Sequence, residues 1–143
     1  MGCRGNIEIS QPKFGFGEGD VSIFLYTHWG GDEVCESLAR GLEAGRSRWT
    51  DPDYLTRIIF NELQGDDRRT TGFGIGIQQM DNEFEMPNLY WTTRDGKFGS
   101  VPDEPFVMYE GSIFTAEEFM LKFLPEVATP NSALEDTQEL ETI

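Results

Sequence analysis

Two groups of residues in this chain have types and spacings that permit chemistry. The first surrounds "LYTHWGGDE", Leu25 to Glu33. His28 is the only histidine in the chain, and Cys35 follows at what reads as the first turn of a helix. A helix N-terminus lowers a thiol pKa, His28 could take the proton as base, and Asp32 could orient the imidazole, as a Cys/His hydrolase or transferase requires. Packing competes with that chemistry. Cys35 directly follows Val34 of an apolar stripe, where a small thiol is ordinarily core. His28 fits equally well at a strand-to-helix corner, its ring bonded to a backbone carbonyl or a carboxylate, with Trp29 packed beneath and Gly30 and Gly31 supplying the bend. The corner is the stronger expectation, so no catalytic residue is assigned. Cys35, His28 and Asp32 stand as the alternative.

The second group is acidic. The chain holds 26 acidic and 11 basic residues, a net charge of −15. Residues 1–70 carry 12 acids and 8 bases, whereas residues 71–143 carry 14 and 3. Asp81, Glu83 and Glu85 in "DNEFE", then Asp103, Glu104 and Glu110, lie where few bases neutralise them. Carboxylates spaced over a folded surface can occupy a site built for phosphates and speed capture of a basic partner. The expected partner is therefore a host protein with a basic surface. The same charge opposes direct contact with nucleic acid or anionic lipid. Acidity kept merely for solubility is the competing explanation.

Other chemistries lack their residues. One histidine and two cysteines do not make a zinc site, and "DNEFE" lacks the ligand spacing of a calcium loop. A phosphate loop needs free amides at a helix N-terminus, but "GFGEGD" leads into a strand and "GFGIGI" alternates as a strand itself. No metal and no cofactor is expected.

The elements that must position these residues follow from periodicity. "GNIEIS" and "VSIFLYTHW" alternate as strands around a glycine-rich hairpin loop, the second with both faces largely covered. From Asp32, a capping candidate, Val34, Leu38 and Leu42 recur at helical spacing, with Gly41 and Gly45 weakening the second half. Asp51, Pro52 and Gly65 bracket a second helix that lays Leu55, Ile58, Ile59 and Leu63 on one face. "TTGFGIGIQQM" reads as a strand whose glycine face would let a helix or second backbone approach. "NLYWTT" and "GKFGSV" read as a hairpin turning at Asp95-Gly96, and "EPFVMYEGSIF" as one or two further strands. Thr115 and Glu118 form a capping box for a short helix bearing Phe119, Phe123 and Leu124.

These elements predict an α+β fold: one small domain over residues 1–125, a mostly antiparallel sheet packed with two central helices and a short C-terminal one, then an acidic, disordered tail over 126–143. At 143 residues and 38% hydrophobic, the chain can build one core without disulfides. The apolar runs are too short to span a bilayer, and "MGCRGN" has Asn6 where a myristoylation signal wants Ser or Thr. The expected location is the host-cell cytoplasm, with Cys3 and Cys35 as reduced thiols.

"RGNI", "LYTHWGGDE", "RSRWTDPDYLTRIIF", "TTGFGI" and "DNE", in that order over roughly the first 85 residues, resemble an uncharacterised family of small proteins of bacteriophages and actinobacteria. The resemblance implies a phage or mobile-element setting and no assigned activity. Charge and resemblance together predict a small acidic phage-type accessory protein that binds and inhibits a host defence or nucleic-acid-processing factor, with anti-restriction or anti-CRISPR action by nucleic-acid mimicry as the sharpest form. The alternatives are the Cys35/His28 enzyme and a structural or assembly component of a phage particle, which a stable homo-oligomer would reveal.

Overall fold

In a computed structural model of the protein, which describes residues 3–12, 20–66, 71–80, 82–92 and 102–124, alternating and helical periods become two layers. The chain runs β1 (Gly5–Pro12), β2 (Asp20–Thr27), α1 (Val34–Ala44), α2 (Pro52–Gln64), β3 (Phe73–Gly76), β4 (Asn88–Tyr90), β5 (Phe106–Tyr109), β6 (Ser112–Thr115) and α3 (Ala116–Phe123). The strands form one sheet in the order β3-β2-β1-β4-β5-β6. Only β1 and β4 run parallel; the other neighbours are antiparallel. The fold is α+β, with a mostly antiparallel sheet and three helices.

One face of the sheet makes the core. Ile7 and Ile9 of β1, Leu25 of β2, Leu89 of β4 and Val107 of β5 are buried against Leu38 and Leu42 of α1, Leu55 and Ile59 of α2, and Phe119 and Met120 of α3. Each such side chain contributes roughly 1.5–3 kcal/mol. Alternation sends their neighbours Phe24, Tyr26, Tyr90 and Phe106 to the opposite face, where they are only half-buried. The expectation that β2 is covered on both faces therefore holds on one: the helices all pack on the side of Leu25. Tyr90 and Phe106, cross-strand partners on the open face, stack with centroids 5.8 Å apart.

The helix boundaries show which local signals prevailed. Pro52 opens α2, the Leu55 amide donates to the Asp51 carbonyl at 3.0 Å, and Gly65 ends the helix at φ 62°. The Asp51 carboxylate does not cap; it accepts from Arg48 Nη1 at 3.4 Å. The capping box of α3 is complete, with Glu118 N donating to Thr115 Oγ1 at 3.1 Å and Thr115 N donating to Glu118 Oε1 at 2.9 Å. Asp32 does not cap α1. A 3-10 turn over Gly31–Glu33 precedes the helix, Glu33 takes the cap position without a side-chain bond, and Asp32 is exposed. The Gly31 amide is committed to the Cys3 carbonyl at 2.6 Å, so the backbone here follows a tertiary contact rather than a local cap.

Three expectations need correction. Gly41 is not merely a weak point of α1: a Cβ there would stand 2.6 Å from Cγ1 and 2.8 Å from Cα of Ile59, so the two helix backbones approach closely at this glycine. The glycine face of β3 is not covered, since nothing lies within 4 Å of a Cβ built on Gly74, and Ile75 and Ile77 are exposed. The strand is the sheet's outer edge, paired only with β2, and Gly74 and Gly76 lie opposite Tyr26 and Phe24. The antiparallel partner of β4 is β5, because β1 occupies its other side. "GKFGSV", the Asp95-Gly96 turn, the β1–β2 loop over residues 13–19 and the tail over 126–143 lie outside the described residues. The second antiparallel hairpin joins β5 and β6 through Glu110 (φ 51°) and Gly111 (φ 79°), the two positive angles of a type I′ turn. No helix among the described residues is long and apolar enough to cross a membrane.

Gly41→Ala separates the two accounts of that glycine. Helix propensity alone favours alanine by about 1 kcal/mol, whereas overpacking against the Ile59 backbone costs about 1–3 kcal/mol. Urea denaturation should show net destabilisation, and a gain in stability would contradict the close crossing.

Candidate protein-docking site

Because β3 lies outside β2 while β4 lies beyond β1, residues 77–87 must pass round one end of the sheet. Asn6 holds this passage. Its side chain is fully buried, its Nδ2 donates to the Met80 carbonyl at 3.1 Å, and its backbone amide donates to Asn82 Oδ1 at 3.0 Å. Beside it the Glu83 amide donates to the Arg4 carbonyl at 2.9 Å. The passage carries Glu83 and Glu85 to the end of the sheet where β1 begins, β5 finishes and α1 starts.

The fold divides the six acids singled out from the sequence. Asp81 lies outside the described residues. Glu83 is tied to Arg4, Oε2 to Nη1 at 3.1 Å. Asp103 and Glu104 sit at the far end of β5, where the Asp103 amide donates to the Thr92 carbonyl at 2.9 Å and Asp103 Oδ1 accepts from the Glu104 amide at 3.0 Å. Glu85 and Glu110 share the near end and are exposed. A single acidic face over the later strands does not form. Instead Glu85 and Glu110 lie near Glu36 of α1 and Asp32 of the turn before it, the latter read in the sequence as a helix cap and as a residue that could orient His28. Among the described residues no ion pair engages any of these four, although Asp51, Glu62, Glu83 and Glu117 all have arginine partners.

Between these carboxylates lies a cavity of about 100 Å³. Phe84, Tyr109 and Phe123 wall it, with Asp32, Glu36 and Glu85 at its lining. Tyr109 and Phe123 meet edge to face, centroids 5.7 Å apart. Cys35 lies at its base, buried, and shares a hydrogen bond with the Tyr109 hydroxyl. Burial pushes the thiol up from its ordinary 9.0 to about 11, the Tyr109 bond partly opposing the rise and Glu36 and Glu110 adding to it. Burial raises the Tyr109 hydroxyl as well, with the Cys35 bond and then Glu110 and Glu85 reinforcing it. Nothing in the pattern of the later strands marks Tyr109, Phe84 or Phe123 as neighbours of Cys35; only the crossover brings them together.

His28 is elsewhere. Its Nδ1 lies 3.0 Å from Tyr26 Oη, and its ring meets Trp29 edge to face at 4.8 Å. The ring's partner is thus a tyrosine rather than the carbonyl or carboxylate expected. The backbone does form a corner, with Cys3 N donating to His28 O, His28 N to Gly72 O and Gly30 N to Thr27 Oγ1. Trp29 does not pack beneath it: the ring is 54% exposed and lies across Gly72, where a Cβ would fall 2.0 Å from Cζ3. Cys35 and His28 therefore have separate partners, and a thiol held protonated by burial is a poor nucleophile. Among the described residues no three His, Cys, Asp or Glu side chains are placed to share a metal ion.

Comparison with protein-family models, curated proteins and solved structures returned no match.

Two measurements check this geometry. Asn6→Ala removes the side-chain bonds to the carbonyl and amide of Met80 while the backbone bond to Asn82 Oδ1 survives, so stability should fall by about 1–3 kcal/mol and amide exchange should quicken around Met80 and Asn82. Unchanged exchange there would show that something else holds the passage. A rise from 9.0 to about 11 leaves Cys35 roughly a hundredfold less thiolate near neutral pH than an ordinary cysteine. In a Cys3→Ser background, alkylation at neutral pH should therefore be slow until the protein is unfolded. Because folding favours the protonated thiol, its contribution to stability is complete below pH 9.0 and is lost as pH climbs towards about 11.

Proposed function

We propose that this is a small acidic accessory protein of phage type that docks on a basic surface of a host protein, a defence or nucleic-acid-processing factor, and inhibits it, its carboxylates standing where the host protein would hold phosphates. The carrying observation is that Asp32, Glu36 and Glu85 line one cavity at an end of the sheet, with Glu110 close enough to act on Cys35 and Tyr109, and that no ion pair engages them among the described residues. Like charges held together repel, and a basic partner removes that repulsion while gaining attraction of its own. The net charge of −15 supplies the longer-range field that speeds encounter. The phage setting is supported by the ordered sequence blocks alone. The protonated, tyrosine-bonded state of Cys35 favours docking over nucleophilic catalysis.

The test is capture from bacterial lysate at low and high ionic strength, followed by assay of the purified partner's activity. A basic nucleic-acid-processing protein should be retained at low salt, released at high salt, and inhibited when bound. Combined Glu36→Gln, Glu85→Gln and Glu110→Gln should weaken capture roughly tenfold, the sum of a few exposed charge contacts. Asp103→Asn with Glu104→Gln, at the opposite end, should leave it near wild type. Capture indifferent to salt and to the first set would remove the electrostatic basis.

A further inference from the structure

The cavity beside Cys35 has a more specific chemistry than an acidic surface. Its walls are the rings of Phe84, Tyr109 and Phe123, and its lining carboxylates belong to Asp32, Glu36 and Glu85. Aromatic faces and carboxylates attract the same class of group, an organic cation, and they do so most strongly where water is partly excluded. The carboxylates come from two separated segments, the start of α1 and the crossover, and they do not converge as metal ligands among the described residues. A spread of single carboxylates suits a compact ammonium with three donors better than the planar fork of a guanidinium, which pairs best with one carboxylate in its own plane. The fold already places a lysine nearby: Lys122 Nζ lies 5.7 Å from the centroid of Phe123.

We infer that this cavity receives the ammonium end of a lysine side chain presented by the protein partner. The inference rests on the docking function proposed above and adds to it a defined anchor: a lysine methylene stem against Phe84 and Phe123, with the charge towards Glu36 and Glu85. Burial is the main cause of the raised Cys35 and Tyr109 groups, and behind it Glu36 and Glu110 act on Cys35, and Glu110 and Glu85 on Tyr109, which places these acids near the cavity.

The probe is n-butylammonium chloride, titrated into the full chain and followed by amide chemical shifts, with n-butanol and methylguanidinium chloride as comparisons. Saturable shifts at Gly31, Cys35, Glu36 and Glu85 are expected with n-butylammonium, weaker ones with methylguanidinium, and none with n-butanol. Glu36→Gln or Glu85→Gln should each reduce the affinity by up to about fivefold, the scale of one partly exposed ion pair. Shifts that fail to saturate, or that spread equally to Asp103 and Glu104, would overturn the site as mere screening of surface charge. Basic-partner capture without saturable n-butylammonium binding would overturn this inference and leave the docking function standing. Saturable binding without capture would uphold the cation site and remove the docking function.

Discussion

The end of the molecule that carries the cavity depends on two backbones meeting without side chains between them. A Cβ on Gly31 would fall 2.5 Å from the carbonyl carbon and oxygen of Arg4, and a Cβ on Gly5 would fall 2.7 Å from the Gly31 Cα. Only glycine permits this separation. The approach lets Gly31 N donate to Cys3 O, and Cys3 N in turn donates to His28 O, so the exit of β2 is pinned to the entry of β1. The 3-10 turn starts from that fixed point and sets the position of Cys35 and Glu36 opposite Tyr109. Prising the backbones apart would move Asp32 and Glu36 relative to the aromatic wall.

The two ends of the sheet are held by different means. At the far end indoles replace glycines: Trp49 Nε1 donates to the Leu42 carbonyl at 2.8 Å, and Trp91 Nε1 to the Trp49 carbonyl at 2.7 Å, joining α1, the turn before α2 and β4 through buried rings. Each ring buries a large apolar surface and satisfies a carbonyl that would otherwise be orphaned. At the cavity end, buried polarity is concentrated in Asn6, and the adjoining surface is given to exposed acids. The acids at this end ride on the same apolar core, since Val34, Cys35, Tyr109 and Phe123 belong to it or pack against it.

The position of these acids bears on function. Asp32, Glu36 and Glu85 line an aromatic-walled cavity with Glu110 nearby, a placement that gives a basic partner a concave point of contact. Pairing with arginine is found at Asp51, Glu62, Glu83 and Glu117, and not at the acids beside the cavity. Uncompensated charge in a concave place is a local cost that a partner can relieve.

The helices and most strand segments were legible in the sequence because their causes are local. Pro52 and Gly65 bound α2, Thr115 and Glu118 cap α3, and the alternation of Ile7, Ile9 and Leu25 marks the buried face. The acidic balance was equally plain. What only the tertiary structure decided was which acids meet and what they surround. Periodicity names the face a residue occupies but not the residue opposite, and the parallel β1–β4 pair depends on a passage round the sheet end held by Asn6, whose partners lie more than 70 residues away. The same long-range route sets Glu85 and Phe84 beside Cys35 and leaves Asp103 and Glu104 at the other end. Gly5 reads locally as the start of a strand and Gly31 as part of a bend, yet their role comes from a backbone distant in sequence, and a contact of that kind leaves no local pattern to be read.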